Sequence, residues 1–77
     1  MIKEQTFGEK AVGLSFNPGN IDVVSICKAE YADVIDRMNE LRTTTTNKEI
    51  ARMASVAITE AQTAQMWAVK ALTWKDA

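Results

Sequence analysis

Residues 43–47, TTTTN, interrupt a stretch that is otherwise compatible with helix from about residue 21 to residue 74. Threonine is a poor helix former because its β-branched side chain loses rotamer freedom against the preceding turn. All glycines and the one proline lie before residue 20, so the main helix breakers are absent from both halves of this stretch. We therefore predict helices at about 21–42 and 47–74, with a loop at 43–46. Such a short connection predicts an antiparallel helical hairpin.

The 77 residues fit a single domain, in which residues 1–20 form an arm with turns and one short helix near residues 2–10. Capping signals mark the start of both long helices. Asn20 is the predicted N-cap of the first helix, with the negative charge of Asp22 in its first turn. Thr46 and Glu49 have the spacing of a capping box, which predicts the start of the second helix.

The first long helix has one apolar stripe, and the second is apolar on two faces. The stripe of the first has heptad spacing and comprises Val24, Cys27, Tyr31, Val34, Met38 and Leu41. The second has a seam that favours close helix packing, formed by Ile50, Ala54, Ala57, Ala61, Ala64, Ala68 and Ala71. Its opposite face carries Met53, Trp67 and Trp74, with Ile58 and Met66 nearby. One partner helix covers only one face, so the pattern predicts assembly into a symmetric homo-oligomer.

Chain length also favours assembly. Below about 70–80 residues, a single core rarely contributes more than ~3–5 kcal/mol, and small folds need further support. The lone cysteine, Cys27, excludes an internal disulfide, and one sulfur without any histidine cannot hold zinc. We therefore expect no metal and no cofactor, and we expect contacts between subunits to supply the missing stability.

The charge balance argues against nucleic-acid polymers as partners. Nine Lys or Arg residues stand against ten Asp or Glu residues, whereas a protein that coats DNA or RNA has a basic excess. No apolar run approaches the ~20 residues of a membrane span. The N-terminus carries Glu4 and Glu9 and lacks the apolar core of a signal peptide. With a lone thiol, these features indicate a reducing, cytoplasmic setting and no membrane partner.

An enzyme is the weakest functional class on this composition. The absence of histidine removes the commonest general base and any Ser-His or Cys-His pair. Asp33, Asp36 and Glu40 cluster at helical spacing, but such a cluster is more often a solvated face than a metal site. Cys27 lies in the apolar stripe, where a buried small hydrophobe is the more common role than a nucleophile.

A binding surface is the remaining class, and its most informative segment is FNPGN at residues 16–20. Asn, Pro and Gly favour a turn, which would hold Phe16 at the entrance to the first long helix. Lys28 follows two to three turns later, beside the apolar stripe. Two interpretations stay open at this point: Phe16 and Lys28 bind a ligand, or Phe16 staples the arm to the helix and Lys28 is a solvated flank.

Three segments, in order and spacing, resemble a known family. They are GEKAVGLSFNP at residues 8–18, VxxCK at 24–28 followed by ADVID at 32–36, and AITEAQTAQMWAVKALTW at 57–74. Together they resemble the small phage proteins that act as cyclic-oligonucleotide sponges against the bacterial CBASS and Thoeris defences. The resemblance covers residues 8–74.

The resemblance implies a helical hairpin that assembles into a homohexamer, with ligand pockets between protomers. Those pockets capture cyclic dinucleotides, and some members hold cyclic trinucleotides in a second pocket. Relatives directed at Thoeris hold cyclic ADP-ribose isomers. The ligand is sequestered and not cleaved, so the implied function is to block CBASS-type defence in the cytoplasm of the infected bacterial host.

The family's main pocket uses an aromatic residue from the arm and a lysine early in the long helix, which match Phe16 and Lys28. Because the family aromatic is often tyrosine, Phe16 would lack a hydroxyl contact. With the adjoining turn, the predicted ligand-binding residues are Phe16, Asn17, Pro18 and Lys28. Candidates for the second pocket are Arg52, Ser55 and Thr59. Ile58 stands where some members have a basic residue, which argues against trinucleotide binding.

Two alternatives without a nucleotide ligand remain. The first is a helical protein–protein interaction module that docks on a host protein through the face of Trp67 and Trp74. The second is a structural assembly factor with no ligand. A co-purified cyclic nucleotide would favour the sponge, and a stoichiometric host protein would favour the interaction module.

Overall fold

A computed structural model describes residues 4–76, which form three α-helices and no strand. α1 spans Phe7–Ala11, α2 spans Asp22–Thr44 and α3 spans Lys48–Leu72. α2 packs along α3, and α1 lies on α2. The prediction of an all-α fold with two long helices is therefore confirmed, whereas assembly into an oligomer stays a prediction. None of the helices in the described residues is long and apolar enough to cross a membrane.

The threonine run contributes more to α2 than the sequence predicted, because the helix continues to Thr44 and only residues 45–47 form the loop. Two threonine hydroxyls bond back to the preceding turn of the helix. Thr43 Oγ1 donates to the carbonyl of Asn39 at 2.9 Å, and Thr44 Oγ1 donates to that of Glu40 at 2.8 Å. This back-bonding satisfies the hydroxyls within the helix, so the β-branched residues are accommodated there.

Both predicted N-caps of the long helices are wrong by one residue. The N-cap of α3 is Asn47, not Thr46, and its Oδ1 accepts hydrogen bonds from the backbone N–H of Glu49 at 2.9 Å and of Ile50 at 3.2 Å. The N-cap of α2 is Ile21, which supplies no side-chain cap. Asn20 instead has a backbone φ of 49°, the left-handed conformation that asparagine tolerates better than most residues.

The short helix α1 begins with a capping box that the sequence analysis missed. Thr6 Oγ1 accepts from the backbone N–H of Glu9, and the Glu9 carboxylate accepts from the backbone N–H of Thr6. Gly8 then lies directly on α2, where a Cβ at this position would stand 2.2 Å from the carbonyl oxygen of Ala32. Its backbone N–H donates to Asp36 Oδ1 at 2.6 Å. Glycine is required here because the two backbones meet too closely for any side chain.

The core is small and lies where all three elements meet. Its buried members are Val12, Ala32, Ile35 and Ile58, with Ala11, Leu14, Tyr31, Met38 and Ala61 packed against them. The backbone fits within 49 × 36 × 12 Å, so its shortest extent is about the diameter of one helix. A layer this thin leaves most side chains partly exposed, and Ile35 is the only large residue between positions 4 and 76 that is fully buried.

The buried stripe of α2 differs from the predicted one. The buried residues are Val24, Lys28, Ala32 and Ile35, whereas Val34 is 51% exposed and Leu41 is 40% exposed. Cys27 is half-buried, so it does not fill the core. The predicted stripe was chosen by apolar residue type. The small residue Ala32 is buried instead because α1 packs closely on it, and Lys28 is buried because the arm folds over it.

The predicted alanine seam of α3 is only partly correct. Ala54 is buried, but Ala64 and Ala71 are exposed. The buried residues of α3 are Ala54, Ile58 and Gln65, so Ile58 lies in the core and not beside the tryptophans as predicted. Trp67 and Trp74 are each 65% exposed, as expected for a second apolar face that α2 does not cover.

Candidate ligand-binding site

The arm between α1 and α2 is folded into two consecutive turns. Gly13 has a positive φ of 63°, which favours glycine, and its carbonyl accepts from the backbone N–H of Phe16 at 2.9 Å. The carbonyl of Asn17 accepts from the backbone N–H of Asn20 at 2.9 Å. Pro18 and Gly19 occupy the centre of this second turn, as residues of their type commonly do. The turns bring Phe16 over the first part of α2.

The side chain of Asn17 joins the arm to the start of α2. Its Oδ1 accepts from the backbone N–H of Ile21 at 3.2 Å. Its Nδ2 donates to the carbonyl of Ile21 at 2.9 Å and to Ser25 Oγ at 2.9 Å. This bonding fixes the arm to the residue at which α2 begins and to its first turn.

Lys28 is buried beneath the arm, with a relative exposure of 5%. Its ammonium donates to the carbonyl of Gly13 at 3.0 Å and to the carbonyl of Phe16. An ammonium has three N–H donors, so these two bonds leave one for another acceptor. Lys28 Nζ also lies 5.6 Å from the centroid of the Phe16 ring. The arm thus fixes a positive charge beside an aromatic ring.

The four predicted ligand-binding residues are brought together in one open groove of about 300 Å³. The groove lies between the arm, the first turns of α2 and the end of α3. It is lined by Phe16, Asn17, Pro18, Gly19, Ile21, Val24, Lys28, Val69 and Thr73. Among these lining residues there is one cation and no carboxylate. An anion with an apolar or aromatic part is the ligand that suits such a lining.

The interpretation of Phe16 as a staple and Lys28 as a solvated flank is wrong on both counts. Phe16 is 73% exposed, so its ring does not pack the arm onto the helix. Lys28 is buried and hydrogen-bonded. The roles are reversed: the charged side chain holds the arm, and the aromatic side chain faces solvent.

Sequence reasoning missed the contribution of α3 to this groove. Val69 lies in the last turn of α3 and Thr73 is its C-cap, and both line the groove with the start of α2. The antiparallel hairpin implies that the end of α3 lies beside the start of α2, so pairing the two helix ends could have found them. Neither residue has a chemical signature of its own that points to a ligand.

Residues 9–73 match the family model for the Acb2/Tad1 hairpin domain. The chain belongs to the Acb2/Tad1 hairpin-domain family. The match includes every residue that lines the groove. Members of this family are known as sponges rather than enzymes. No curated protein and no solved structure matches the chain.

Three further residues are candidates for a second pocket of the Acb2/Tad1 type, and each is bonded within the chain. Arg52 pairs with Glu49, three residues earlier on α3, through Nε at 3.0 Å. Hydrogen bonding to Arg52 lowers the pKa of the Glu49 carboxyl, and the same bond raises the pKa of Arg52. Ser55 Oγ accepts from Arg42 at 3.3 Å, and Thr59 Oγ1 donates to the Ser55 carbonyl at 3.3 Å. The three residues share one face of α3, but no hydrogen bond joins the side chain of one to the side chain of another.

The position of Ile58 bears on the same second pocket. Ile58 is 4% exposed and belongs to the core, so its side chain does not face a ligand in this chain. The expectation about trinucleotide binding stays a prediction.

The remaining candidates are the carboxylates of α2 and the thiol of Cys27. No group of three or more metal-ligating side chains occurs among residues 4–76. Asp36 is half-buried and binds the Gly8 backbone, so it belongs to the packing of α1 and not to a solvated face as predicted. Cys27 lies in a shallow pocket on the outer side of α2 with Glu30, Tyr31 and Val34.

The tryptophan face forms a second groove, of about 340 Å³, near the end of α3. It is lined by Trp67, Lys70, Ala71 and Trp74. Lys70 Nζ lies 5.1 Å from the centroid of the Trp67 ring, and Trp74 Nε1 donates to Asp76 Oδ1 at 3.1 Å. Two large aromatic side chains exposed together are typical of an interaction surface.

Proposed function

We propose that this protein sequesters cyclic nucleotide immune signals without cleaving them, and thereby blocks CBASS-type antiphage defence in the cytoplasm of the infected bacterial host. One observation carries the proposal: the groove holds an exposed aromatic ring, Phe16, beside a fixed cation, Lys28. A nucleotide has the complementary parts, a flat base and a phosphate. Membership of the Acb2/Tad1 hairpin-domain family supports the same ligand class.

The Phe16 ring is available for stacking because it is 73% exposed. Stacking of a base on an aromatic side chain contributes about 1–3 kcal/mol. The ring is already oriented by the turns at 13–16 and 17–20, so little ordering remains to be done when a base arrives.

The Lys28 ammonium keeps one N–H for a phosphate oxygen. A charge-assisted hydrogen bond of this kind contributes roughly 1.5–3 kcal/mol. The groove lining supplies no competing carboxylate in the described chain, so an anion would meet no repulsion there.

The size of the groove and the symmetry of a cyclic dinucleotide favour a site shared by two chains. A volume of about 300 Å³ lies at the lower end of the ~300–1,000 Å³ range of ligand pockets. A cyclic dinucleotide has two bases and two phosphates in near twofold symmetry. A twofold interface presents each residue twice, so it would offer two Phe16 rings and two Lys28 ammonium groups. Cyclic dinucleotides are therefore the first ligands to test, followed by cyclic trinucleotides and cyclic ADP-ribose isomers.

Sequestration is favoured over hydrolysis by the lining of the groove. The residues that line it include no carboxylate, and the sequence has no histidine, so no side chain there is suited to activate water at neutral pH. A bound phosphodiester would be held and released intact.

Assembly into a homohexamer is part of the proposal. The thin layer and the exposed pair Trp67 and Trp74 support contacts with further copies of the chain. The same face also favours the second candidate function, an interaction module that docks on a host protein. Sedimentation of the purified protein at micromolar concentration separates the two: further copies give a species well above the 8.5 kDa monomer.

Thermal unfolding with 3′,3′-linked cyclic dinucleotides tests the function itself. A ligand that binds only the folded state adds about 2.7 kcal/mol per site at a hundredfold excess over Kd. The melting temperature should rise by several degrees, and the ligand should be recovered chemically intact after denaturation. Recovery of linear nucleotide would identify an enzyme. No shift with any of the three ligand classes, combined with a stoichiometric host protein on purification, would identify the interaction module.

A further inference from the structure

The amide of Asn17 has no N–H donor left for a phosphate, although Asn17 lines the groove, and its oxygen can only accept hydrogen bonds. Both N–H donors of its Nδ2 are in use, one with the carbonyl of Ile21 and one with Ser25 Oγ, each at 2.9 Å. Its Oδ1 accepts from the backbone N–H of Ile21. All three bonds run to the start of α2, and none of them points the amide toward the groove as a free donor.

We infer that Asn17 is a positioning residue: it fixes the arm turn on α2, and so holds Phe16 over the groove, without bonding the ligand. The inference rests on the proposed function, and it replaces the expectation that Asn17 is itself a ligand contact. The arm is tied to α2 at two points on either side of Phe16. Lys28 binds the carbonyls of Gly13 and Phe16, and Asn17 binds the first turn of the helix.

Because Phe16 is exposed, the arm needs this second attachment, the bonds of Asn17 to the start of α2, in addition to the bonds of Lys28. A ring that is 73% exposed has few packing contacts to hold it. The peptide that follows Phe16 is therefore located by the bonds of Asn17 and by the turn at 17–20. Without the amide of Asn17, the Pro18-Gly19 turn can pivot, and the ring moves away from the Lys28 ammonium.

Ser25 allows the positioning role to be tested outside the groove. Its hydroxyl is bonded to Asn17 Nδ2, yet Ser25 does not line the groove. Ser25→Ala removes one hydrogen bond and should weaken ligand binding about threefold. Asn17→Ala should weaken it about tenfold or more, and the double variant should be no weaker than Asn17→Ala alone, because both substitutions remove the same tie.

Amide hydrogen exchange of the ligand-free protein measures directly whether the two turns of the arm stay formed. The backbone N–H groups of Phe16 and Asn20 close the two arm turns, so their protection reports whether the turns stay formed. We expect Asn17→Ala to lower the protection of both amides at least fivefold, while amides in the middle of α3 keep theirs. Asn47→Ala is the matched control, because Asn47 caps α3 far along the chain from the arm. It should lower overall stability and leave the arm's relative protection and ligand affinity unchanged.

The outcomes distinguish the possibilities. Unchanged protection in Asn17→Ala with weakened binding of a cyclic dinucleotide would make Asn17 a direct ligand contact and overturn the inference. Protection lost equally in the arm and in α3 would make its role general stability, which also overturns it. If the parent protein binds no cyclic nucleotide, the proposed function fails, but the exchange data still decide whether Asn17 positions the arm.

Discussion

Two lysine–aromatic pairs on this chain have similar geometry and different surroundings. Lys28 Nζ lies 5.6 Å from the centre of the Phe16 ring, and Lys70 Nζ lies 5.1 Å from that of Trp67. In both pairs the ring is mostly exposed, at 73% and 65%. The difference lies in the lysines, because Lys28 is buried and bonded to two carbonyls, whereas Lys70 is exposed.

The difference teaches which pair is suited to a small ligand. The Lys28 ammonium is held in one place by the arm, so a phosphate that binds it meets a cation whose position is already fixed. Lys70 lies exposed on the surface of α3, and its ammonium lies over part of the Trp67 indole face. A surface that can rearrange suits a contact with another protein chain better than it suits a compact anion.

The largest expected effect on ligand affinity comes from removing the ammonium of Lys28, and removal of the Lys70 ammonium is its control. Lys28→Met keeps the apolar stem and removes the ammonium, and a twofold site loses it twice. Affinity for a cyclic dinucleotide should fall by ~3–6 kcal/mol, or about 10²–10⁴ in Kd. Lys70→Met, the matched control, should bind within threefold of the parent. Titration calorimetry beside a sizing column measures both affinity and assembly.

Lys28→Met should also loosen the arm, because the carbonyls of Gly13 and Phe16 lose their donor. Some loss of thermal stability is therefore expected in addition to the loss of affinity. If Lys28→Met binds as tightly as the parent while Lys70→Met does not, the comparison is reversed, and the ligand site lies at the tryptophan face.

The next effect is on stability, and it concerns the packing of α1 on α2, because α1 leads into the arm that carries Phe16. Gly8→Ala places a Cβ where 2.2 Å would separate it from the carbonyl oxygen of Ala32, so α1 must move off α2. A backbone clash of this kind should cost about 3 kcal/mol of unfolding free energy. Urea unfolding measures it, with Gly19→Ala as the control.

A Cβ at Gly19 meets only the flexible end of the Ile21 side chain, at 3.1 Å, so Gly19→Ala should be nearly neutral in stability. Equal unfolding midpoints for Gly8→Ala and the parent would mean that α1 does not rest on α2 in solution. The arm would then have only its Lys28 and Asn17 ties.

The fold was more predictable than the face by which the helices pack. Breaker-free sequence and a short polar interruption were sufficient to predict two long helices. The predicted packing face of α2 is wrong because burial in this helix does not follow apolar residue type. Lys28 is buried since arm carbonyls satisfy its charge, and Ala32 is buried since α1 needs a small residue below Gly8.

The site was partly predictable for a related reason. The turn residues at 16–19 and the cation at Lys28 carry chemical signatures that a sequence displays, and the structure gathers them in one groove. Val69 and Thr73 carry none, so only the packing of α3 on α2 adds them. The capping box of Thr6 and Glu9 is visible in the sequence. The spacing of Thr46 and Glu49 has the same form, but it predicts the N-cap of α3 one residue too early.

A smaller effect isolates the ring of the first pair. Phe16→Ala should weaken binding by ~1–3 kcal/mol for each stacked base, or ~2–6 kcal/mol when a twofold site loses both rings, which is about 30-fold to 10⁴-fold in Kd. Because the ring is mostly exposed, the unfolding free energy should change by no more than about 0.5 kcal/mol. Phe16→Tyr keeps the aromatic face and should bind at least as well as the parent. A large loss of stability in Phe16→Ala would show instead that the ring packs the arm.

The smallest effect is expected at the exposed pair of Glu49 and Arg52. Arg52 lowers the pKa of the Glu49 carboxyl, so the pair adds stability above the ordinary pKa of glutamate, and that stability is lost as pH falls through the lowered value. Arg52→Ala should therefore shift the urea midpoint slightly at pH 7 and not at all near pH 2, where Glu49 is protonated in both proteins. Since Arg52 does not line the groove of Phe16 and Lys28, cyclic dinucleotide affinity should be unchanged. A tenfold loss of dinucleotide affinity in Arg52→Ala would place the ligand at the start of α3, where neither lysine–aromatic pair is found.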